Sequence, residues 1–110
     1  MNDDPADAAD ALLAERLKSL GHPARLAIVR MLAVRRRCVC GEVVAGLPLA
    51  QATVSQHLKV LKEAGLVVGE IEGSRTCYCL DPVAVTRLRA DVVAFLDEAF
   101  SKEPLGETAP

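Results

Sequence analysis

Four cysteines in 110 residues fall into two Cys-x-Cys pairs, Cys38/Cys40 and Cys77/Cys79. Neither has the Cys-x-x-Cys spacing of a thiol oxidoreductase or a zinc finger. Residues two apart share a face in a strand but point to different sides of a helix. Thr76-Cys77-Tyr78-Cys79-Leu80 is β-prone, so its two sulfurs should point one way and Tyr78 the other. If Cys38-Val39-Cys40 forms a brief strand paired with that segment, opposite Cβ atoms lie about 5 Å apart and three or four thiols share one pocket. Such a group can ligate soft metals or metalloids, undergo oxidation or persulfide formation, or close a four-cysteine structural zinc site. With no chemistry at all, the cysteines are small buried hydrophobes. Arg35, Arg36 and Arg37 stand beside the first pair and favour the thiolate form. A thiol enzyme would also need a base, and only His22 and His57 are available. No nucleophile–base pairing can be read from their positions, so the chain reads as a non-enzyme.

The elements that must position these thiols follow from apolar spacing. Leu12, Leu13, Leu17 and Leu20 mark one face of a helix from about Ala9, stopped by Gly21-His22-Pro23. A second helix is expected from about Ala24 to Val34, with Leu26, Ile28, Val29, Met31 and Leu32 apolar. After the first cysteine pair a short helical stretch around Glu42 to Ala45 meets the breaker Gly46-Leu47-Pro48. A longer helix from about Ala50 to Glu63 then carries Val54, Leu58 and Leu61 on one face and ends at Ala64-Gly65. Short helix, turn and longer helix is the order of a helix-turn-helix. Leu66-Val67-Val68 and the second cysteine segment read as a β-hairpin around a polar loop, Gly69 to Arg75. Asp81-Pro82 has the signature of a helix start. The helix it opens carries a wide apolar stripe: Val85, Leu88, Val92, Val93, Phe95, Leu96, Ala99 and Phe100.

The expected fold is therefore mainly α with a small β-hairpin wing, in the order α-α-(β)-α-α-β-β-α, a winged helix-turn-helix. Residues 1–8 read as a flexible acidic N-terminus, 9–101 as the folded domain and 102–110 as a flexible tail. No apolar run approaches the roughly 18–20 residues of a membrane span. The acidic start, with Asp3, Asp4, Asp7 and Asp10 and no base, is the opposite of a secretory leader. That leads to the expectation of a cytoplasmic protein with reduced cysteines.

Net charge is -2, but its distribution is uneven: Arg16 to Ala90 holds 12 Lys/Arg against five acidic residues, an excess of +7, between acidic ends. Such a middle can bind a polyanion. In a helix-turn-helix the second helix enters the major groove of duplex DNA. Gln51, Thr53, Ser55, Gln56 and His57 lie off the apolar face of that helix and are assigned to base edges and phosphates. Lys59 and Lys62 farther along, and Arg75 in the wing loop, are assigned to backbone phosphates or a flanking minor groove. The 3% aromatic content suits duplex reading, since single-strand binders stack bases on aromatic rings.

Together these segments resemble the arsenic-repressor (ArsR/SmtB) family of bacterial winged-helix regulators. The likeness is carried by Leu-Gly-His-Pro-Ala-Arg-Leu-Ala-Ile-Val at 20–29, Cys-Val-Cys at 38–40, Ala-Thr-Val-Ser-Gln-His-Leu-Lys-Val-Leu-Lys-Glu-Ala-Gly-Leu-Val at 52–67 and Leu-Asp-Pro at 80–82. It implies a homodimer joined through the first and last helices, and a ligand-controlled repressor bound to an imperfectly palindromic DNA operator. It also points to Cys38 and Cys40 as inducer ligands, as in arsenite-responsive members. Trivalent arsenic or antimony takes three thiolates, and the third is assigned to Cys77 or Cys79. The same soft donors would suit cadmium, copper(I) or zinc. A thiol-redox or persulfide-sensing repressor, or a ligand-free regulator with structural cysteines, are the alternatives. One departure is Ala50, where many relatives carry a capping Ser.

Overall fold

The computed structural model describes residues 5–35, 38–40, 48–70 and 77–100. In chain order these form α1 (Pro5–Leu20), α2 (Pro23–Arg35), β1 (Val39–Cys40), α3 (Gln51–Glu63), β2 (Val67–Glu70), β3 (Cys77–Leu80) and α4 (Pro82–Phe100). The short helix expected around Glu42 to Ala45, the wing tip with Arg75, and the expected tail 102–110 lie outside the described residues. α1 begins at Pro5, earlier than the expected Ala9, so part of the presumed flexible lead-in is helical. Proline is pre-organised for a first helical position, and Asp7 in the first turn complements the positive end of the helix dipole.

α3 is the central packing element. Val54, Leu58 and Leu61 are buried on it, against Ile28 and Leu32 of α2, Leu66, Val67 of β2 and Tyr78 of β3. Leu13 of α1 and Ala84 and Leu88 of α4 complete the core. The C-terminus of α3 closes as a Schellman turn. Gly65, at φ 81°, donates its N–H to Lys62 O at 2.9 Å, and Leu66 N–H donates to Leu61 O at 3.1 Å. Arg16 of α1 adds a long-range tie, its Nε donating to Ala64 O at 3.1 Å.

The sheet order is β1-β3-β2, antiparallel throughout. Tyr78, in the middle of β3, is buried, while Cys77, Cys79 and Leu80 are half-buried. Gly69 is part of β2, opposite Tyr78, rather than the first residue of a loop. Its φ is 126°, and a Cβ there would overlap the carbonyl oxygen of Cys77, so only glycine lets the strands approach so closely. Leaving the sheet, Asp81 caps α4: its Oδ1 accepts from Val83 N–H at 3.0 Å and from Ala84 N–H at 3.3 Å. No helix among the described residues is long and apolar enough to cross a membrane.

α3 begins without such a cap. Ala50 occupies the N-cap position in an extended conformation, φ -65° and ψ 149°, with no side-chain hydrogen bond. Ala50→Ser should therefore stabilise the fold by about 1 kcal/mol, read as a higher urea midpoint at unchanged slope. Gly69→Ala should destabilise it by about 1–3 kcal/mol. Equal midpoints for wild type and both variants would contradict this account of the two sites.

Candidate nucleic-acid interface and cysteine ladder

Because Val54, Leu58 and Leu61 recur at helical spacing and are buried, α3 turns its remaining faces away from the core. Gln51, Thr53, Gln56 and Lys62 are exposed, and Ser55 and Lys59 are half-buried. Five of these six side chains come from residues 51–59, so the N-terminal turns of α3 present hydroxyls and amides, with both lysines farther along. This is the donor and acceptor set that reads base edges and phosphates.

His57 differs from the others. It is half-buried, and its ring lies 4.6 Å from that of His22, tilted by 44°. Arg25 donates from Nη1 to His57 Nδ1 at 3.2 Å, which fixes the proton of the neutral ring on Nε2. The same guanidinium donates from Nε to Ser19 O at 2.6 Å and from Nη2 to Lys18 O at 3.5 Å. One side chain therefore ties the end of α1 and the start of α2 to α3. His22 caps α2, its Nδ1 accepting from Ala24 N–H at 3.0 Å. His57, assigned from sequence to DNA, is thus turned toward the α1–α2 corner, where its contacts position the helix. Burial, the neighbouring His22 and the Arg25 cation all push its pKa below the usual 6.5.

The cysteines lie on the sheet. Val39 pairs with Tyr78 and Cys40 with Cys77, so the two Cys-x-Cys segments run side by side as the strand spacing suggested. Cys38 and Cys79 are joined by a disulfide, with Cα atoms 4.2 Å apart. Cys77, whose Cα partner across the ladder is Cys40, is also disulfide-bonded. This differs from the reduced thiols expected from the acidic N-terminus: antiparallel pairing brings opposite residues within bonding reach. Among the described residues no three His, Cys, Asp or Glu side chains converge as a metal site. Three thiolates for one ion would require these bonds to be reduced first. Beside the Cys38–Cys79 bond lies a cleft of about 450 Å³, walled by Leu32 and Ala33 of α2, Leu80 of β3, and Pro82, Val85 and Thr86 of α4.

A helix-turn-helix domain model matches residues 20–70. The HTH-type transcriptional regulator Rv2034 of Mycobacterium tuberculosis is 42% identical over 84 residues, covering 76% of this chain and 78% of that one. The chain belongs to the ArsR/SmtB family. The HTH-type transcriptional repressor SmtB of the same organism is 43% identical over 84 residues, 76% of this chain but 62% of SmtB, so the chain spans less than two thirds of that relative's length. Among solved structures, the homodimeric winged helix-turn-helix DNA-binding domain of Mb0332 from Mycobacterium bovis, a possible ArsR-family regulator, is similar at 29% identity. Its TM-score is 0.64, over 94% of each chain. The crystal structure of a possible transcriptional regulator for arsenical resistance is similar at 31% identity and a TM-score of 0.63, over 81% of this chain and 96% of that one.

For this ArsR/SmtB chain, sequence reading missed the roles of Arg16 and Arg25. Their partners lie 48 and 32 residues away, and a single arginine on a helix carries no mark of so distant an acceptor. The His57 contact has a pH signature. A folded-state pKa below 6.5 means that the unfolded chain takes up the proton first, so stability is full above that pH and falls as pH drops through and below it. From about pH 7.5 to about pH 5.5, the urea midpoint of the wild type should fall more than that of His57→Gln, which keeps an acceptor for Arg25. Parallel profiles would show that His57 does not carry this dependence.

Proposed function

We propose that this chain is a homodimeric, DNA-binding transcriptional repressor of the cytoplasm, released from an imperfectly palindromic operator through chemistry at its cysteine ladder. The observation that carries the DNA reading is the face of α3, where Gln51, Thr53 and Gln56 are exposed in the half of the helix that would enter a major groove. Lys59 and Lys62, and Arg75 of the wing, supply phosphate contacts. Dimerisation is supported by apolar side chains left exposed on two helices: Leu12 and Leu17 on α1, and Val93, Phe95, Leu96 and Phe100 on α4. Large apolar side chains left exposed together on a domain point to an association site, and the similar Mb0332 domain is homodimeric.

The inducer we propose is trivalent arsenic or antimony, with cadmium, zinc or copper(I) as other soft candidates, held by thiolates from among Cys38, Cys40, Cys77 and Cys79. Ligation releases three protons from three thiols and needs the reduced ladder. It would tie the strand before the helix-turn-helix to the wing. Release from DNA follows only if the ligand binds the DNA-incompetent form more tightly. A second reading is favoured by the Cys38–Cys79 bond: the dithiol–disulfide change is itself the signal, and no ligand is held.

The test begins with duplexes selected from a random pool. Gln56→Ala should cost about 1–3 kcal/mol of specific affinity. Lys62→Ala should weaken binding across sequences and lower the salt slope by about 1. Equal loss on specific and random duplexes for Gln56→Ala would remove it from base reading. Reduced protein is then titrated with arsenite, antimonite or cadmium, following free thiols and DNA affinity together, with Cys38→Ser and Cys77→Ser as variants. Metalloid sensing predicts thiol loss and DNA release in the wild type and neither in Cys38→Ser; Cys77→Ser loses both if Cys77 is the third ligand and keeps both if it is Cys79. DNA affinity that ignores all three ions but falls on oxidation selects the redox reading. Affinity that ignores both, and alkylation as well, leaves the cysteines structural.

A further inference from the structure

Hydrogen peroxide and other small polar oxidants need no apolar seat beside the thiols they oxidise. The Cys38–Cys79 pair nevertheless forms one wall of a cleft of about 450 Å³ whose other walls include Leu32, Ala33, Leu80 and Val85, with Thr86 as the hydroxyl-bearing side chain. Cys38 is exposed and Cys79 half-buried, so a molecule seated in the cleft meets the sulfurs from the open side. Sites of this size and apolar lining suit small organic molecules, held by the hydrophobic effect and oriented by a few polar groups. No Lys, Arg, Asp or Glu is among the described lining residues, and such walls disfavour a charged occupant.

We propose that this cleft binds a small, uncharged quinone-type electron acceptor, and that this acceptor oxidises the Cys38 and Cys79 thiols to the observed disulfide. The proposal rests on the redox reading of the cysteine ladder. The step balances: two thiols lose two electrons and two protons as the S–S bond forms, and the quinone gains both to leave as hydroquinone. Thr86 offers a hydroxyl to a quinone oxygen while the ring lies on the aliphatic walls. The pocket then decides which oxidants act quickly, because binding converts an encounter between two molecules into a reaction within one complex.

The experiment uses reduced, full-length protein under nitrogen, with 2,3-dimethyl-1,4-naphthoquinone as the probe. Its ring positions are blocked, which suppresses thiol addition. Thiol loss and hydroquinone appearance are followed against probe concentration, and hydrogen peroxide serves as the pocket-independent oxidant. The expected result is a rate that saturates with quinone, one hydroquinone and a loss of two mass units per bond formed, and a bond that maps to Cys38 and Cys79. Ala33→Trp and Val85→Trp, which fill the cleft from two different helices, should slow the quinone reaction at least tenfold and leave the peroxide rate unchanged. Far-ultraviolet circular dichroism and DNA affinity of the reduced variants show whether each is folded, so a failure of one variant leaves the other as the test. A quinone rate that stays linear in concentration, or that falls no more than the peroxide rate in both folded variants, overturns the proposal. A thiol adduct as the main product overturns it too. If neither oxidant forms the Cys38–Cys79 bond, the redox reading itself fails.

Discussion

The register of β3 is the constraint on which most of this structure depends, and Tyr78 sets it. Burying this ring between α2, α3 and β2 removes a large apolar area from water, and a strand that slips by one residue turns every side chain to the other face. A slip would expose Tyr78 and drive Cys77 and Cys79 into the core, so the tyrosine enforces the placement of both cysteines without touching their chemistry. With that register set, Val39 must pair with Tyr78 and Cys40 with Cys77. The apposition of Cys38 and Cys79 follows from it. Gly69 serves the same end from the other side, because only a residue without Cβ can lie so close to Cys77 and Tyr78.

The recognition helix is held by two different means. Its apolar stripe fixes depth and rotation against α2 and the sheet, but burial is non-directional and permits sliding along the axis. Polar ties supply the missing direction. At one corner Arg25 connects His57 to the carbonyl oxygens of Lys18 and Ser19; at the far end Arg16 grips Ala64 O. These arginines reach carbonyl groups near helix ends, where the last turn leaves acceptors without an intrahelical partner, although Lys18 O also accepts from Gly21 N–H at 3.0 Å. The exposed side chains proposed to face the groove, Gln51, Thr53 and Gln56, can thus stay short while others hold the helix.

Much of this was legible in the sequence because it is local. The α3 stripe, the Gly65 stop, the Asp81 cap and the alternation of Cys77, Tyr78 and Cys79 are all set within a few residues, and each is observed. The missing cap at Ala50 came instead from the family resemblance, since many relatives carry a capping Ser there. What escaped was non-local or context-dependent. Nothing around Arg16 or Arg25 marks an acceptor many residues away. His57 looked groove-facing because helical spacing places it beside Gln56, yet its position at the edge of the stripe lets the ring fold back onto His22. Gly69 looked like a turn residue because its neighbours are polar, while its actual role is set by a strand that follows later in the chain. The cleft was also invisible, since its walls come from three separate elements.

The cysteine ladder and α3 are linked by a short path. Directly after β3 comes Asp81, whose N–H donates to Leu66 O at 2.9 Å while its side chain caps α4. Leu66 in turn closes the Schellman turn of α3 through Leu61 O. The strand that carries Cys79 is therefore tied through Asp81 to two places at once: the C-terminal end of α3 and the start of α4. In a dimer joined through α4, rotating that helix relative to α3 alters the separation of the two recognition helices, and half-site spacing on duplex DNA tolerates little such change. Cys77 and Cys79 thus sit on the strand whose end bears on both the helix proposed to read DNA and the helix proposed to set the spacing between readers.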